Sequence, residues 1–345
     1  MFHILHQRYA DHIDQIERLM AEEIAYWDWD DIPQMKALVM RYLARSGKRL
    51  RPLLGLLFAE LYGGRLEAIY WPAAAIETYH TATLVYDDIQ DNSEFRRGLP
   101  CAHVTASTST AMNLAAVTRS FMYHFVHRSP HLNATQKVEV HQMLDHASTL
   151  VTLGQSIDIG WHEGWYSTYQ SLPYERMIQW KSASLFGCIA AISAMLSGND
   201  SNAVLQAKEI GIEIGLLFQM VDDYLDIFGD PKVMRRPLFT DFCEGKVTYP
   251  VICLFNRLSS CGKGDMIDHV LQRLEQRDAH QEDWQWLVDL MLDFEIDECL
   301  RNQFQEKVKQ LTCSIGKIAR STGAQESLNM FVDTLVSPVN SGQRA

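Results

Sequence analysis

The 345-residue sequence predicts an all-α protein that folds as a single domain. Apolar residues recur with the period of an α-helix in most long segments, whereas the alternation typical of β-strands is nearly absent. Hydrophobic residues make up 47% of the chain and charged residues 21%, which is enough apolar material for a large core. Because the chain also lacks internal repeats of domain size, we expect residues 1–345 to form one domain of helices around a central space.

Each predicted helix ends where the apolar period breaks. Gly47 ends the second helix, the pair Gly63-Gly64 follows the third, and a long apolar helix over 71–91 runs directly into acidic residues. The predicted helices span about 8–26, 34–46, 53–62, 71–91, 107–128, 134–158, 173–198, 202–228, 247–259, 282–293 and 295–320. The tail over about 337–345 contains Ser, Pro and Gly, and we expect it to be mobile.

Charge and cysteine content exclude several classes of protein. The 31 Lys and Arg residues against 43 Asp and Glu residues give a net charge of −12, which disfavours nucleic acid and anionic lipid as partners. The seven cysteines include no C-x-x-C pair, so neither a zinc site nor a disulfide framework is expected. The longest apolar run, 185–196, is shorter than the roughly 20 residues that cross a bilayer. The N-terminus becomes charged too early for a secretory signal, and these features predict a soluble cytoplasmic protein without a transmembrane segment.

The first acidic cluster lies at the end of the predicted 71–91 helix. Asp87 and Asp91 are one helical turn apart on the same face, and Asp88 lies beside them. Clustered carboxylates repel one another unless a cation is present, and ligation by oxygen alone suits a hard ion such as Mg²⁺. A solvated helix end is the alternative interpretation of this motif taken by itself.

A second cluster repeats the same spacing at the end of another apolar helix. It consists of Asp222, Asp223 and Asp226. Two such clusters, each at the end of an apolar helix, are difficult to explain as solvated helix ends. If the two helices are neighbours, the clusters face each other across a cavity and hold several divalent ions, and diphosphate is the natural ligand to bridge them.

Basic residues bracket both acidic clusters. They are Lys48, Arg49 and Arg51 upstream, Arg96 and Arg97 after the first cluster, Lys181 within a helical segment, and Arg235, Arg236 and Lys246 after the second cluster. Arg binds phosphate oxygens in a bidentate manner and Lys acts as a point charge. In a chain this acidic, their positions predict a second anion site that needs no metal.

Six strings between residues 47 and 250 resemble the trans-isoprenyl diphosphate synthases, also called polyprenyl synthetases. The strings are GKRLRP, DDIQDNSEFRRGLPCAH, GQSIDIGW, WKSASLF, FQMVDDYLDIFGDP and DFCEGKVTYP. The strings DDIQDNSEFRRGLPCAH and GQSIDIGW are most similar in sequence to geranylgeranyl diphosphate synthases. The resemblance implies an all-α isoprenoid-synthase bundle around a central catalytic cavity, usually in a homodimer. It also implies Mg²⁺-dependent head-to-tail condensation of isopentenyl diphosphate with an allylic diphosphate, through ionisation, condensation and elimination.

The resemblance also implies roles for individual residues. The metal site would comprise Asp87, Asp91, Asp222 and Asp226, with Asp226 acting directly or through water and with Asp88 and Asp223 in support. Three Mg²⁺ ions would bind together with the allylic diphosphate, which Arg96, Lys181, Ser182, Gln219, Arg236 and Lys246 would grip. Isopentenyl diphosphate would be held without metal by Lys48, Arg51, His80 and Arg97.

A few positions differ from the family's usual residues, and other features resemble sites without being expected to act as sites. The differences are Tyr86 for His, Ala115-Ala116 for Gly-Asp, Ser182 for Thr and Arg235-Arg236 for Gly-Lys. None of them removes a metal ligand. The histidines 124, 127, 131, 141 and 146 and the string Asn92-Ser93-Glu94 are interpreted as structural or surface features.

Product length is predicted from the residues that precede the first aspartate. Ala82 and Thr83 are small, which disfavours a C15 limit and permits C20 or longer, while Tyr79 lies one helical turn deeper and could still block the cavity. Geranylgeranyl diphosphate is the expected product, with farnesyl or C25 and longer diphosphates as alternatives. A class I terpene cyclase and a silent subunit of a heteromeric synthase are the other hypotheses. The joint presence of the isopentenyl-site residues argues against the cyclase, and two complete acidic motifs argue against the silent subunit.

Overall fold

The computed structural model describes residues 2–45, 47–166, 168–169, 173–231, 237–276 and 284–341, and almost all regular structure within them is helical. The helices are α1 (Phe2–Arg8), α2 (Ala10–Ala25), α3 (Pro33–Leu43), α4 (Leu50–Leu61), a 3₁₀ turn (Leu66–Ile69), α5 (Tyr70–Gln90), α6 (Ala102–Thr105), α7 (Thr108–Arg128), α8 (Ala134–His162), α9 (Tyr174–Ile178), a π-helix (Gln179–Ala183), α10 (Ser184–Leu196), α11 (Ser201–Phe228), α12 (Thr240–Cys243), α13 (Tyr249–Ser260), α14 (Gly264–Leu274), α15 (Gln285–Asp293), α16 (Ile296–Ile318) and α17 (Thr322–Ser341). Strands β1 (Phe95–Arg96) and β2 (Leu99–Pro100) form a short antiparallel hairpin in register Phe95 to Pro100.

The predicted helices recur in the structure with shifted ends. The elements that were not predicted are the helices α1, α6, α12, α14 and α17, the 3₁₀ turn and the β hairpin. The segment predicted as one helix over 173–198 is divided by the π-helix. The tail expected to be mobile from residue 337 continues α17 as far as Ser341, and buried Val336 and Val339 provide the packing for this extension. Residues 342–345 lie outside the described residues.

One compact unit comprises Met1–Thr149, Ser184–Ile212 and Ser314–Phe331. Helix α5 packs in it against α7, α2 and α4, and α4 packs against α10. Helix α4 is buried along almost its whole length, and Trp71 of α5 contacts Phe125 of α7 with ring centroids 6.4 Å apart. Neighbours on several sides therefore fix α5, which carries the first acidic cluster at its C-terminal end.

The other compact unit comprises Leu150–Ala183, Glu213–Cys313 and Val332–Ala345. The end of α11, which carries the second acidic cluster, is fastened to α16 within it. The Tyr224 hydroxyl donates to Asp297 Oδ1 at 2.6 Å, and its ring meets Phe304 at 5.7 Å between centroids. Arg301 holds the same Asp297 carboxylate one helical turn along, with Nε 3.0 Å from Oδ1. In the described part of the chain, no helix is both long and apolar enough to span a membrane.

Candidate active site

The first acidic cluster occupies the last turn of α5 and its end. The Asp91 amide donates to the Asp87 carbonyl at 2.9 Å, so helical geometry continues to Asp91 and keeps these two residues on one face. Asn92 then adopts the left-handed conformation with φ of 52°, and the Ser93 amide donates to the Asp88 carbonyl at 3.0 Å. This is the Schellman pattern of a helix end, so the structure gives Asn92 and Ser93 a capping role.

Arg96 is brought back to the acidic cluster by the hairpin. Its turn residues, Arg97 and Gly98, both have positive φ, of 54° and 74°, which is the type I′ geometry favoured by the twist of two-residue hairpins. Arg96 Nη2 lies 3.2 Å from Asp87 Oδ2, and Arg96 Nε also binds Asp88 Oδ1. Burial raises the pKa of Asp88, and the Arg96 charge opposes that rise. The positive charge of Arg96 therefore offsets the negative charges of two carboxylates. The hairpin itself was not predicted from the sequence.

A small basic pocket adjoins this cluster within the same unit. It is lined by Tyr42, Arg45, Glu77, His80, Thr81, Leu84, Arg96 and Arg97. Burial, followed by the charges of Arg51 and Arg97, lowers the pKa of His80 well below 6.5, so the imidazole is neutral near pH 7. A neutral ring and several guanidinium groups create a site for an anion that requires no metal.

The structure brings three of the four predicted isopentenyl diphosphate ligands into this neighbourhood. Arg51 is buried, burial lowers its pKa to about 10, and its guanidinium stacks over the Phe186 ring at 4.7 Å. Arg51 Nε has no hydrogen-bond partner among the described residues. A Cβ on Gly47 would lie 2.6 Å from Arg97 Nη1, so a larger residue there would require this guanidinium to shift. The fourth residue, Lys48, is exposed, and its carbonyl lies 2.9 Å from His6 Nε2.

Arg45 and Glu77 of this region were not predicted from the sequence, and Arg49 was predicted only as one of the basic residues of an anion site. Arg45 stacks over the Tyr42 ring at 3.8 Å and donates through Nη2 to the Pro100 carbonyl at 2.7 Å. Arg49 and Glu77 form a buried ion pair. Glu77 left a signal in the sequence, because a carboxylate in the middle of the apolar 71–91 helix is buried only when it has a partner.

The second acidic cluster is held by hydrogen bonds that differ between its members. Asp223 is buried and accepts from the Tyr174 hydroxyl at 2.5 Å, Gln219 Nε2 at 2.8 Å and the Tyr249 amide at 3.1 Å. Burial raises the pKa of Asp223 to about 6 against the lowering effect of these bonds. Asp222 is half-buried on the same helix.

Asp226, the last member of the second cluster, is fully buried. Its Oδ1 accepts from the Thr240 amide at 3.3 Å and from the Thr240 hydroxyl, and its Oδ2 accepts from the Asp241 amide at 3.2 Å. The carboxylate thus fastens the start of α12 to α11. Of the three aspartates, Asp222 is the most accessible to a metal ion.

Lys181 and Ser182 lie on the π-helix, and this geometry presents both side chains to nearby polar groups. Such local helix widening occurs frequently at functional sites. Lys181 Nζ binds Asp158 Oδ2 of α8 at 2.6 Å, and the Ser182 hydroxyl donates to Gln219 Oε1 at 2.7 Å. A Cβ on Gly154 would lie 2.4 Å from the Lys181 backbone nitrogen, so this glycine permits the close approach of α8.

The remaining predicted residues are placed as follows. Lys246 Nζ binds Glu244 Oε2 at 2.6 Å, whereas Arg235 and Arg236 lie outside the described residues. Tyr79 is buried and its hydroxyl donates to the Ser148 carbonyl at 3.0 Å. Ala82 is fully buried, and the hydroxyl of half-buried Thr83 donates to the His80 carbonyl at 2.8 Å.

The histidines of α7 and α8 take part in packing and ion pairing. His124 Nε2 lies 2.9 Å from Glu23 Oε2, and its ring meets Trp27 at 5.3 Å between centroids. Tyr123 and His141 pair with ring centroids 5.9 Å apart. Within the described ranges, no group of three or more His, Cys, Asp or Glu side chains is placed to hold a metal ion by itself.

The donor atoms of the aspartate clusters fit Mg²⁺. Asp87, Asp91 and Asp222 are partly exposed and offer only carboxylate oxygens, which is the chemistry this hard ion prefers. Mg²⁺ usually takes one or two protein carboxylates and completes its octahedron with water and substrate phosphate. Asp87 and Asp91 offer two such carboxylates on one face of α5 in the first unit, and Asp222 offers another on α11 in the second unit.

Comparison with known proteins identifies the family. The family model described as polyprenyl synthetase matches residues 33–291, three quarters of the chain. The chain belongs to the polyprenyl synthetase family. It is 30% identical over 268 residues to the geranylgeranyl diphosphate synthase of Sulfolobus acidocaldarius, and the aligned region covers 77% of this chain and 79% of the relative. It is 28% identical over 307 residues to the geranylfarnesyl diphosphate synthase of Aeropyrum pernix, covering 87% and 93%.

Solved structures agree with the polyprenyl synthetase assignment at the level of fold. The geranylgeranyl pyrophosphate synthetase of Pyrococcus horikoshii superposes with a TM-score of 0.83 at 23% identity, covering 97% of this chain and 99% of that one. The predicted family, the all-α isoprenoid-synthase fold and the trans-prenyltransferase class are therefore confirmed. Polyprenyl synthetases extend allylic diphosphates with isopentenyl diphosphate and are generally Mg²⁺-dependent enzymes.

Proposed function

We propose that this chain condenses isopentenyl diphosphate with an allylic diphosphate to give all-trans geranylgeranyl diphosphate. The observation that carries the proposal is the position of Arg96, which bonds to Asp87 and Asp88 and also lines the basic pocket. A carboxylate cluster suited to Mg²⁺ thus lies beside a cationic pocket that needs no metal. Two neighbouring anion sites of different chemistry are what a reaction between two diphosphates requires.

The proposed roles divide the residues between the two substrates. Mg²⁺, in three ions held by Asp87, Asp91, Asp222 and in part Asp226, would supply positive charge to the allylic diphosphate as its C–O bond ionises. Arg96, Lys181 and Lys246 would add charge-assisted hydrogen bonds to the leaving diphosphate. Ser182 and Gln219 would orient it, and Arg236 is proposed as a further contact from the sequence alone.

Isopentenyl diphosphate would bind in the basic pocket through Lys48, Arg51, His80 and Arg97. Neutral His80 can donate one hydrogen bond without contributing further positive charge to a pocket already rich in arginine. The isopentenyl double bond then attacks the allylic cation, and a proton leaves the adjacent carbon. The departed diphosphate is the proposed proton acceptor.

The C20 product is proposed from the residues on α5. Ala82 is small and fully buried, while Tyr79 is fixed one turn deeper by its hydrogen bond to the Ser148 carbonyl. A rigid tyrosine at that depth would limit a chain that passes Ala82. The relatives named above include both C20 and C25 synthases, so product analysis must decide the length.

The chain is also proposed to act as a homodimer in the cytoplasm. Large apolar side chains on α7 and α8 are exposed, namely Met112 at 53%, Tyr123 at 39% and Val138 at 55%, and a second copy would cover them. None of the seven cysteines, all of which lie within the described residues, forms a disulfide, which fits a reducing compartment. Light scattering on the purified protein should give about twice the 39.5 kDa chain mass, and a mass of one chain would contradict the dimer.

The enzyme assay uses the purified chain with Mg²⁺, isopentenyl diphosphate and each of the C5, C10 and C15 allylic diphosphates. Dephosphorylated products are identified by gas chromatography and mass spectrometry. We expect a C20 alcohol that disappears in Asp87→Ala and in excess EDTA. A C15 or C25 alcohol would contradict the length only, whereas a cyclic hydrocarbon formed without isopentenyl diphosphate would identify a cyclase. No turnover with any primer would indicate a silent subunit.

A further inference from the structure

Arg49 is a buried arginine whose backbone adopts a conformation unfavourable for its residue type. It precedes α4 with φ of 45° and ψ of 40°, in the left-handed region, which is sterically unfavourable for a residue with a Cβ. Its side chain makes three hydrogen bonds: Nε to Glu17 Oε1 at 2.6 Å, Nη1 to Glu77 Oε1 at 2.9 Å and Nη2 to the Leu43 carbonyl at 2.7 Å. These bonds hold the backbone in a conformation that it would otherwise leave.

The left-handed turn at Arg49 sets the directions of residues on both sides. Arg49 provides the carbonyl for an early hydrogen bond of α4, from the Leu53 amide at 3.0 Å, so Arg51 is fixed relative to it. On the other side, Lys48 follows Gly47, whose Cα lies against the Arg97 guanidinium. One anchored arginine therefore fixes the relative positions of Lys48, Arg51 and Arg97.

Glu77 provides the negative charge that makes this arrangement possible. It is 4% exposed and lies one turn before His80 on α5, on the same face. Its charge favours the protonated forms of Arg51 and Arg97. Arg49, Arg51 and Arg97 all interact with this one buried carboxylate, so the arginines around it outnumber it.

We propose that the Arg49–Glu77 ion pair is a positioning element specific to the metal-free diphosphate pocket, setting the geometry and the charge of Lys48, Arg51 and Arg97. The inference rests on the proposed function, because it treats that pocket as the isopentenyl diphosphate site. Neither Arg49 nor Glu77 is assigned a contact with substrate. Their effect is transmitted through the turn at Arg49 and through the charge at Glu77.

A purely structural ion pair would behave differently. Removing one partner of a buried pair destabilises a protein, which lowers the amount of active enzyme and its melting temperature but leaves the KM of each substrate unchanged. A positioning role instead raises the KM for isopentenyl diphosphate alone. The two roles are therefore separated by comparing KM values below the melting temperature.

The test uses Arg49→Lys, which keeps the charge but cannot make all three hydrogen bonds, and Glu77→Gln, which keeps the shape but loses the charge. Glu17→Gln is the matched control, since it removes the charge of the half-exposed partner of the same arginine, keeps an oxygen that accepts its hydrogen bond and leaves the buried pair intact. We expect at least a tenfold rise in KM for isopentenyl diphosphate in Arg49→Lys and Glu77→Gln. The KM for the allylic substrate and kcat should stay within twofold, and Glu17→Gln should match the wild type. Glu77→Asp should recover part of the affinity.

Calorimetric titration with inorganic pyrophosphate in EDTA provides a second reading that does not require turnover. The wild type should bind, and Glu77→Gln should bind at least tenfold more weakly. An unchanged KM and pyrophosphate affinity together with a lower melting temperature would overturn the inference, and so would an equal rise in both KM values. If the wild type binds pyrophosphate but shows no turnover, the proposed function is wrong. The pyrophosphate titration of the variants then decides this inference by itself. If Glu77→Gln does not fold, Arg49→Lys and Glu77→Asp decide the outcome.

Discussion

Replacing Gly154 with alanine tests whether Lys181 must lie where the π-helix places it. A Cβ at this position would be 2.4 Å from the Lys181 backbone nitrogen and 2.9 Å from its Cα. Ordinary contacts between such atoms are about 3.5–4.0 Å. Because both neighbours are backbone atoms, α8 and the π-helix must separate by about 1 Å to accommodate the methyl group.

Opposing effects keep the expected loss of stability small. Overpacking costs about 1–3 kcal/mol, whereas alanine is favoured over glycine within a helix by about 1 kcal/mol. The net cost is about 0–2 kcal/mol. With an unfolding entropy of about 2.1 cal/mol/K per residue, the 345-residue chain loses about 1.4 °C of Tm per kcal/mol, so Tm should fall by less than about 3 °C.

The expected loss of activity is larger, because a misplacement of about 1 Å in a positioned group can cost up to about 100-fold. We expect kcat/KM for the allylic substrate to fall between about 10- and 100-fold in Gly154→Ala, measured by initial rates of radiolabelled product formation. Gly160→Ala on the same helix is the control. Its Cβ would lie 2.4 Å from the Trp165 ring, but this side chain is 63% exposed and can turn aside. Wild-type kcat/KM in Gly154→Ala, or equal losses in both variants, would refute the reasoning.

Substitutions at three further positions test other parts of the structure. Tyr79→Ala should lengthen the product by at least one C5 unit, whereas Tyr79→Phe should lose only about 1 kcal/mol from one hydrogen bond and keep the product; identical products by mass spectrometry from Tyr79→Ala would contradict the length argument. Because the pKa of His80 is lowered in the fold, the unfolded chain binds more protons below pH 6.5, so stability falls there as the pH falls. His80→Asn removes this contribution. Its free energy of unfolding, measured with urea, should therefore rise relative to that of the wild type by up to about 1.4 kcal/mol for each pH unit below 6.5. The same difference in unfolding free energy at pH 7 and at pH 5.5 would contradict this expectation. Asn92→Gly should be nearly neutral and Asn92→Val should cost about 1–2 kcal/mol, because the left-handed cap excludes a β-branched side chain; equal urea midpoints would show that the cap is unimportant.

Local periodicity was enough to predict most of the helices, because an amphipathic or fully apolar segment of a dozen residues carries its own signal. The π-helix has no such signal. It depends on the close approach of Gly154 to the Lys181 backbone, which joins residues distant in sequence. The hairpin at Arg97 was also missed, although its Gly98 provides the flexibility that a type I′ turn requires.

The acidic clusters could be located from spacing alone, because residues four apart share a helix face wherever the helix is placed. Their environments could not. Asp223 and Asp226 have the same residue type and the same motif, yet Asp223 joins a side-chain network and Asp226 fastens α12. That difference arises from Tyr174 and Thr240, which no spacing rule connects to α11.

The two sets of basic residues differ in a way that supports the proposed division into one substrate bound through metal and one bound without it. Arg96 and Lys181 each bind carboxylates in the structure, and a carboxylate that neutralises a cation also repels an incoming diphosphate. Binding there becomes favourable only when divalent charge is added. His80 and Arg51 instead have lowered pKa values because of burial and, for each, the charge of Arg97. A bound anion therefore reduces the electrostatic repulsion between these neighbouring basic groups. EDTA should therefore abolish binding of a non-hydrolysable allylic diphosphate analogue while leaving pyrophosphate binding in the basic pocket, and equal sensitivity of both to EDTA would contradict this division of charge.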